Sequence, residues 1–336
     1  MCSRETRVST LEESTVPAVP ANKSTTVRPI ETARKQIVKR VRVAIGLVQR
    51  VSPALAARAL EVIWLTPQRF ARPPQERVAF ESAQRWQLAN GKRRIPMYSW
   101  GDEGRPIVLF AHGWEGRATQ VAPYIAPLLT AGFRVVSYDT AGHGEARRAL
   151  VSVVDFARTA EFVSNTLRGQ VQAGIGHSAG AAALLVAAGQ NQFAERLVVV
   201  AAPLRPRVFV EKFARWLRLT PTTQRGFLGR LDARYGLAFA DFDSRPSAVE
   251  SGADGLVVHD RADDDVPFGH GEGLADAWPG ARLLATDGLG HRRVLRDPEV
   301  VRSVVEFIGP PRSLVTLEDA IAGALVDRDG RARASA

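Results

Sequence analysis

Val171-Gln172-Ala173-Gly174-Ile175-Gly176-His177-Ser178-Ala179-Gly180 has the form of a strand driving into a serine at a tight turn, and the rest of the chain can be placed from it. In the spacing Gly176-x-Ser178-x-Gly180, a strained backbone lifts the serine hydroxyl clear of the strand end. The residues two before and two after must be small because strand and helix nearly touch there. Ala181-Ala182-Ala183-Leu184-Leu185-Val186-Ala187-Ala188 follows as a small-residue helix able to lie close on a sheet. Its N-terminus points at Ser178 and can stabilise negative charge. The bare pentapeptide would arise by chance in about one chain in ten of this length, so its meaning depends on what surrounds it.

Working back from the elbow, residues 83 to 89 and 93 to 100 alternate around Asn90-Gly91, which predicts a hairpin. Pro106-Ile107-Val108-Leu109-Phe110-Ala111 is a continuous apolar run of the kind buried on both faces of a sheet, ending in His112-Gly113-Trp114. A helix from about Ala118 to Thr130 leads to the strand Phe133 to Tyr138 and the turn Asp139-Thr140-Ala141-Gly142-His143-Gly144. A helix around Asp155 to Arg168 returns the chain to the elbow strand. Strands alternating with helices predict a mostly parallel sheet whose C-terminal loops gather in one crevice.

Beyond the elbow helix, Arg196 to Ala201 reads as another buried strand. Residues 204 to 250 break the alternation, with Phe209, Phe213, Trp216 and Leu217 at helical spacing and then Phe227, Leu228, Leu231 and Tyr235. They are expected to form either a small helical cap or plain core. The alternation resumes with a strand from Gly255 to His259, a helix near Phe268 to Ala277, a short strand at Ala281 to Ala285 and a last helix from Pro298 to Ile308.

A serine hydroxyl is a poor nucleophile without a base in reach, and the base needs an orienting partner. Of six histidines, His112, His143 and His177 sit in tight loops before or at the elbow, His259 ends a strand, and His270 lies at a helix start. His291 follows the glycine-flanked loop Thr286-Asp287-Gly288-Leu289-Gly290, where an imidazole can be presented to the crevice, and is the expected base. For the carboxylate, the loop after His259 offers Asp260, Asp263, Asp264 and Asp265. Asp263 is preferred because Asp260 is still close to the strand, while the later two approach a Pro-initiated helix where acids often serve as caps.

These motifs together resemble the α/β-hydrolase superfamily over roughly residues 80 to 310. The resemblance rests on His112-Gly113-Trp114, Asp139 with Gly142-His143-Gly144, Gly176-His177-Ser178-Ala179-Gly180, His259 through Pro267, and Gly290-His291. It implies an α/β fold with a mostly parallel central sheet flanked by helices. It further implies Ser178 as nucleophile, His291 as general base and then acid, and Asp263 as its orienter. The backbone N–H groups of Trp114 and Ala179 would form the oxyanion hole, while Asp139 and His143 would hold loop architecture only. Glu145 departs from the pattern, standing where relatives often have a small hydroxyl residue. The function so implied is a serine esterase or lipase-like hydrolase acting on small to medium acyl esters through an acyl-enzyme. A peptidase, a thioesterase, an acyltransferase or a non-catalytic membrane-associated binding protein on the same scaffold remain alternatives. No metal or other cofactor is expected: no His-x-x-x-His pair or carboxylate cluster suggests a metal, and no Walker-type phosphate loop opens a helix after a strand.

Composition bounds the rest. Hydrophobic residues make up 45% and charged residues 24% of 336, ordinary for a globular protein. Cys2 is the only cysteine, so no intrachain disulfide or zinc cluster can form. No signal-like apolar run opens the chain and no 18-residue apolar stretch occurs, so the expected location is cytoplasmic. The net charge of +10 is concentrated: Lys23 to Arg77 carries twelve Lys and Arg against three acids. Residues 1–30 read as a flexible leader, 31–75 as a basic helical segment, and 311–336 as a partly helical tail. Within the basic segment, Ile37, Val38, Val41, Ala44, Ile45, Val48 and Val51 share one helical arc and Lys35, Lys39, Arg40, Arg42 and Arg50 the other. Ser52-Pro53 opens a second helix to about Leu65. Two outcomes are consistent with this pattern: both helices dock on the catalytic domain, or residues 31–66 contact an anionic membrane surface peripherally, at the inner face of the membrane. Nucleic acid is not an expected partner, because no aromatics interleave the basic residues. The sequence leaves oligomeric state open.

Overall fold

The computed structural model describes residues 40–236 and 242–312. The leader at 1–30, the first part of the basic segment with Lys35, Ile37, Val38 and Lys39, residues 237–241 of the candidate cap, and nearly all of the 311–336 tail lie outside the described residues. Eight strands, β1 (Gln84–Asn90), β2 (Arg93–Trp100), β3 (Ile107–Ala111), β4 (Arg134–Tyr138), β5 (Val171–His177), β6 (Arg196–Val200), β7 (Asp254–Asp260) and β8 (Arg282–Thr286), form one sheet. Their spatial order is β1-β2-β4-β3-β5-β6-β7-β8. The β1–β2 hairpin and the β2–β4 pair are antiparallel, and every other neighbour is parallel. β3 and β5 are therefore central and covered on both faces. That is why all five residues of β3 are buried and read as one apolar run. β1 is an edge strand and mostly exposed.

The flanking helices are α1 (40–51), α2 (Pro53–Trp64), α3 (Pro74–Ser82), α4 (Ala122–Thr130), α5 (Val153–Thr166), α6 (Ala179–Asn191), α7 (Arg207–Leu217), α8 (Pro221–Tyr235), α9 (Arg245–Glu250), α10 (Gly269–Ala277), α11 (Gly290–Arg293) and α12 (Pro298–Ile308). One apolar core joins Leu109, Ile107 and Leu197 to α5 and α6, and a second joins Val108, Phe110 and Val258 to α4 and α12. The two cores clothe opposite faces of the sheet.

Some boundaries move from the sequence expectation, for local reasons. Residues Ala118–Val121 form a 3-10 turn before α4 rather than its first turn. α5 begins at Val153 because Ser152 and Asp155 make a reciprocal capping box, with the Ser152 hydroxyl accepting from Val154 and Asp155 accepting from the Ser152 N–H at 2.9 Å. α12 matches expectation, capped by the Asp297 carboxylate.

The basic N-terminal helices dock on the insertion between β6 and β7. A third apolar cluster holds Ile45, Ala57, Leu60 and Leu65 against Val210, Leu217, Phe227 and Leu231. Glu61, buried on the inner side of α2, accepts from Arg230 at 2.5 Å and Arg234 at 2.6 Å. Gln49 bridges to the α7–α8 turn through Arg218 O and Thr220 N. The expected apolar arc of α1 divides. Val41 and Ile45 face this cluster, whereas Ala44, Val48 and Val51 are exposed. A helical wheel treats the arc as one surface, but the contact is centred on Val41, Ile45 and Gln49, one helical row further round. No helix among the described residues is long and apolar enough to cross a membrane.

Candidate active site

β5 delivers the nucleophile candidate. Ser178 follows its last residue with φ 52° and ψ −120°, a conformation L side chains rarely adopt, and its N–H is tied to Val200 O at 2.9 Å. Such a residue costs on the order of 1–3 kcal/mol and persists only where its surroundings hold it. The surroundings do so through the two flanking glycines. A Cβ at Gly176 would overlap the Ala181 backbone, and one at Gly180 would overlap the carbonyl oxygens of Ala111 and His112. α6 starts directly after Ser178, and its alanines are buried against β3 and β5. Its first N–H, on Ala179, therefore has no partner within the helix.

The loops after β7 and β8 meet beside the elbow. Nδ1 of His291 donates to Oδ2 of Asp263 at 2.8 Å, and the Asp263 side chain has no solvent exposure. The other oxygen of Asp263 accepts from the N–H groups of Asp265 at 2.9 Å and Val266 at 2.8 Å. Burial by itself would raise this carboxyl, but the His291 hydrogen bond and charge, with the two N–H donors, outweigh it and hold Asp263 below its ordinary value. In the neutral imidazole that donates from Nδ1, Nε2 keeps its lone pair.

Asp260 and Asp264, the competing acids, have other positions. Asp260 is the buried last residue of β7 and accepts four hydrogen bonds, from Ala262 N, Thr286 Oγ1, Leu289 N and Gly290 N at 2.7–3.0 Å. It rivets the two loops together rather than facing the imidazole. Asp264 is exposed, and its carbonyl receives Lys212 Nζ.

Three histidines to which the sequence alone assigns no role brace the site. His177 is the buried end of β5, not a loop residue. Its Nε2 donates to the carbonyl of His291 at 2.9 Å, and its ring lies against Gly113, where a Cβ would come within 2.9 Å of Nδ1. Burial drops its pKa to about 3, so the ring is neutral and serves as a donor. His259 Nε2 donates to Val266 O at 3.0 Å and lies 3.6 Å from Asp263 Oδ2. His112 donates from Nδ1 to Gly113 O at 2.8 Å and accepts from Thr140 N at Nε2. With Gly116 N also on Gly113 O, that carbonyl is pinned from two sides. The N–H of Trp114, on the opposite edge of the same trans peptide, is turned the other way. The Trp114 indole is wedged against His143 and Phe156. Sequence spacing carries no signal for the His177–His291 and His112–Thr140 pairings, which span 114 and 28 residues.

Asp139 holds the neighbouring loop, accepting from Ala118 N, Glu145 N and Tyr98 OH at 2.7–2.8 Å. Gly144 is required beside it, because a Cβ there would overlap the carboxylate. The unusual Glu145 turns toward the N-terminal segment, pairing with Arg72 at 2.6 Å.

Ser178, His291, Trp114 and Ala179 all line one cavity of about 1130 Å³. Its far wall is aromatic, with Phe209, Phe213 and Trp216 from the insertion, and Trp64 and Phe70 from the N-terminal segment. The N-terminal helical segment thus forms part of the cavity. Among the described residues, no group of His, Cys, Asp and Glu is arranged to hold a metal ion.

Comparison with known proteins bears on the fold. An enol-lactonase from Burkholderia xenovorans LB400 is similar at TM-score 0.52 and 19% identity, covering 66% of this chain and 99% of that one. Carboxylesterase CesB from Bacillus subtilis is similar at TM-score 0.50 and 17% identity, covering 70% and 95%. A bacterial membrane phospholipase A is similar at TM-score 0.53 and 15% identity, covering 83% and 98%. At these identities the likeness is one of fold. No curated protein matches the chain. The model of the alpha/beta hydrolase family matches residues 108–304, which span the elbow and the loops bearing Asp263 and His291. With more than half its length matched, and with the sheet order and elbow described above, this chain belongs to the alpha/beta hydrolase family.

Proposed function

We propose that the protein is a serine ester hydrolase acting on small to medium acyl substrates through Ser178, His291 and Asp263. The observation that carries this reading is the convergence of a strained Ser178 and an Asp263-oriented His291 on a single apolar cavity. A bystander serine has no reason to be held at φ 52° by two glycines that tolerate no side chain.

In this mechanism Ser178 Oγ attacks the ester carbonyl while His291 Nε2 takes its proton. Asp263 keeps the imidazole in the required tautomer and stabilises the imidazolium. The tetrahedral oxyanion is held by the N–H groups of Trp114 and Ala179, each such donor contributing about 3 kcal/mol. The imidazolium then protonates the leaving alcohol, giving an acyl-enzyme. Water, deprotonated by the same nitrogen, attacks the acyl-enzyme, and Ser178 leaves with the proton returned. The aromatic wall of Phe209, Phe213 and Trp216 supports an apolar acyl chain as the bound moiety.

Hydrolysis of p-nitrophenyl esters of increasing acyl length, run beside Ser178→Ala, tests the reading. Turnover that peaks at intermediate length and disappears in the variant is expected. Ester turnover that survives in Ser178→Ala would refute it.

A further inference from the structure

Seven of the fifteen large apolar side chains exposed among the described residues lie on α1 and α2: Val43, Leu47, Val48, Val51, Leu55, Val62 and Ile63. Exposed apolar residues scattered singly need no explanation, but a contiguous set marks a contact surface. Val43, Leu47 and Val51 are spaced four apart along one side of α1, at 55%, 58% and 88% exposure. Leu55 and Val62, two turns apart, share one side of α2, whose opposite side is already occupied by the packing of Ala57 and Leu60 on the insertion.

The charge of this face identifies its partner. Arg40, Arg50 and Arg58 stand exposed among these residues, and none makes an ion pair among the described residues. The only acid between residues 40 and 64 is Glu61, which is buried on the inner side with Arg230 and Arg234. The preceding sequence continues the same sign with Lys35 and Lys39. A second copy of this chain would bring a like-charged face, which opposes self-pairing. An anionic surface with an apolar interior satisfies both features: the arginine heads meet lipid phosphates while the aliphatic side chains enter the acyl boundary.

We propose that the outer face of α1 and α2 is a docking surface for an anionic phospholipid bilayer. This surface is independent of the chemistry at Ser178. It connects to the cavity by position: Ile63 is exposed while its neighbour Trp64 lines the cavity, and the cavity residues Phe70 and Trp216 are themselves half exposed.

Flotation of the full chain with vesicles of phosphatidylcholine alone, or mixed equally with phosphatidylglycerol, tests the proposal. Binding to the mixed vesicles and little to the neutral ones is expected, weakened at about 1 M salt, where the screening length falls to about 3 Å. Arg50→Gln with Arg58→Gln should weaken binding roughly twenty-five-fold, at about fivefold for each arginine. Leu47→Glu with Leu55→Glu should weaken it on the order of tenfold or more. All four side chains are exposed, so thermal unfolding and fluorophosphonate labelling should be unchanged. If the leucine variant unfolds, the arginine variant alone decides the outcome. No binding to mixed vesicles, equal binding to both kinds, or undiminished binding by the variants would overturn the proposal. So would sedimentation showing a dimer at micromolar concentration that Leu47→Glu with Leu55→Glu dissolves, because the face would then join two copies.

Discussion

His291 and Asp263 come from loops after different strands, 28 residues apart, yet their Nδ1 and Oδ2 atoms lie 2.8 Å apart with the carboxylate wholly buried. The approach is enforced by Asp260, which accepts one hydrogen bond within its own loop, from Ala262, and three from the end of β8 and the loop after it. Positioning and orientation are thus divided between two aspartates three residues apart. Asp263→Asn is expected to fold normally and lose about 10³–10⁴-fold in kcat, because the amide no longer enforces the tautomer. Asp260→Ala should instead cost several kcal/mol of stability by leaving buried donors unpaired. Urea unfolding together with ester turnover separates the two. A stable, inactive Asp260 variant beside an active Asp263 variant would reverse the assignment.

Stability should fall in mild acid. His112, His143 and His177 are buried, and burial lowers their pKa values to about 4, 3 and 3. Their unfolded value is about 6.5. Above that pH the rings are neutral in both states and nothing is lost. Below it the unfolded chain takes up protons that the folded chain refuses, at about 1.4 kcal/mol per pH unit for each ring, until the folded pKa is reached. Asp263 and Glu61, both held below their ordinary values, stay charged in this window and do not compensate. Urea unfolding should show a drop of roughly 4–6 kcal/mol between pH 7 and pH 5. A flat profile would contradict the neutral, buried state of these rings.

The loop of the proposed oxyanion hole gives a sharper test of geometry. His112 pins Gly113 O, and Gly180 lies against the carbonyl of His112. Gly180→Ala should force strand and helix apart and destabilise the protein by at least about 2 kcal/mol, in line with overpacking. His112→Ala should free the peptide that bears the Trp114 N–H and lower kcat about 10²–10³-fold, the loss typical of one hole donor. KM should change much less. Equal losses of kcat and affinity for a product-like acid would argue instead for a collapsed cavity.

Trp216 lines the cavity while half exposed, so its removal should be tolerated by the fold. Trp216→Ala is expected to lower kcat/KM about tenfold for the preferred acyl length, with acetyl ester turnover unchanged, for a loss of roughly 1–2 kcal/mol of chain contact. An unchanged chain-length profile would place the acyl chain elsewhere in the cavity.

Much of this architecture is legible in local sequence. The Ile107–Ala111 run, the Asn90-Gly91 turn and the glycines around Ser178 each encode their own conformation, so the parallel sheet and elbow follow from short-range pattern. Asp263 stands apart from Asp260 because a residue ending a strand is already committed to it, and Asp260 is indeed the last residue of β7. What local pattern does not contain is pairing across distance. The donation from His177 to the His291 carbonyl spans 114 residues. The clasp of Glu61 by Arg230 and Arg234 spans 169 and 173. The lining of the cavity by Trp64 and Phe70 depends on where the N-terminal helices dock, which an amphipathic wheel does not specify. The wheel also merges two faces of α1 that tertiary contact separates.

Fluorophosphonate labelling followed by intact mass puts the activation of Ser178 by His291 to the test. Rapid, stoichiometric labelling of the native chain is expected, with none in Ser178→Ala and labelling slowed by several orders of magnitude in His291→Ala. Labelling of His291→Ala at the native rate, or of Ser178→Ala at all, would show that Ser178 is not a nucleophile activated by His291.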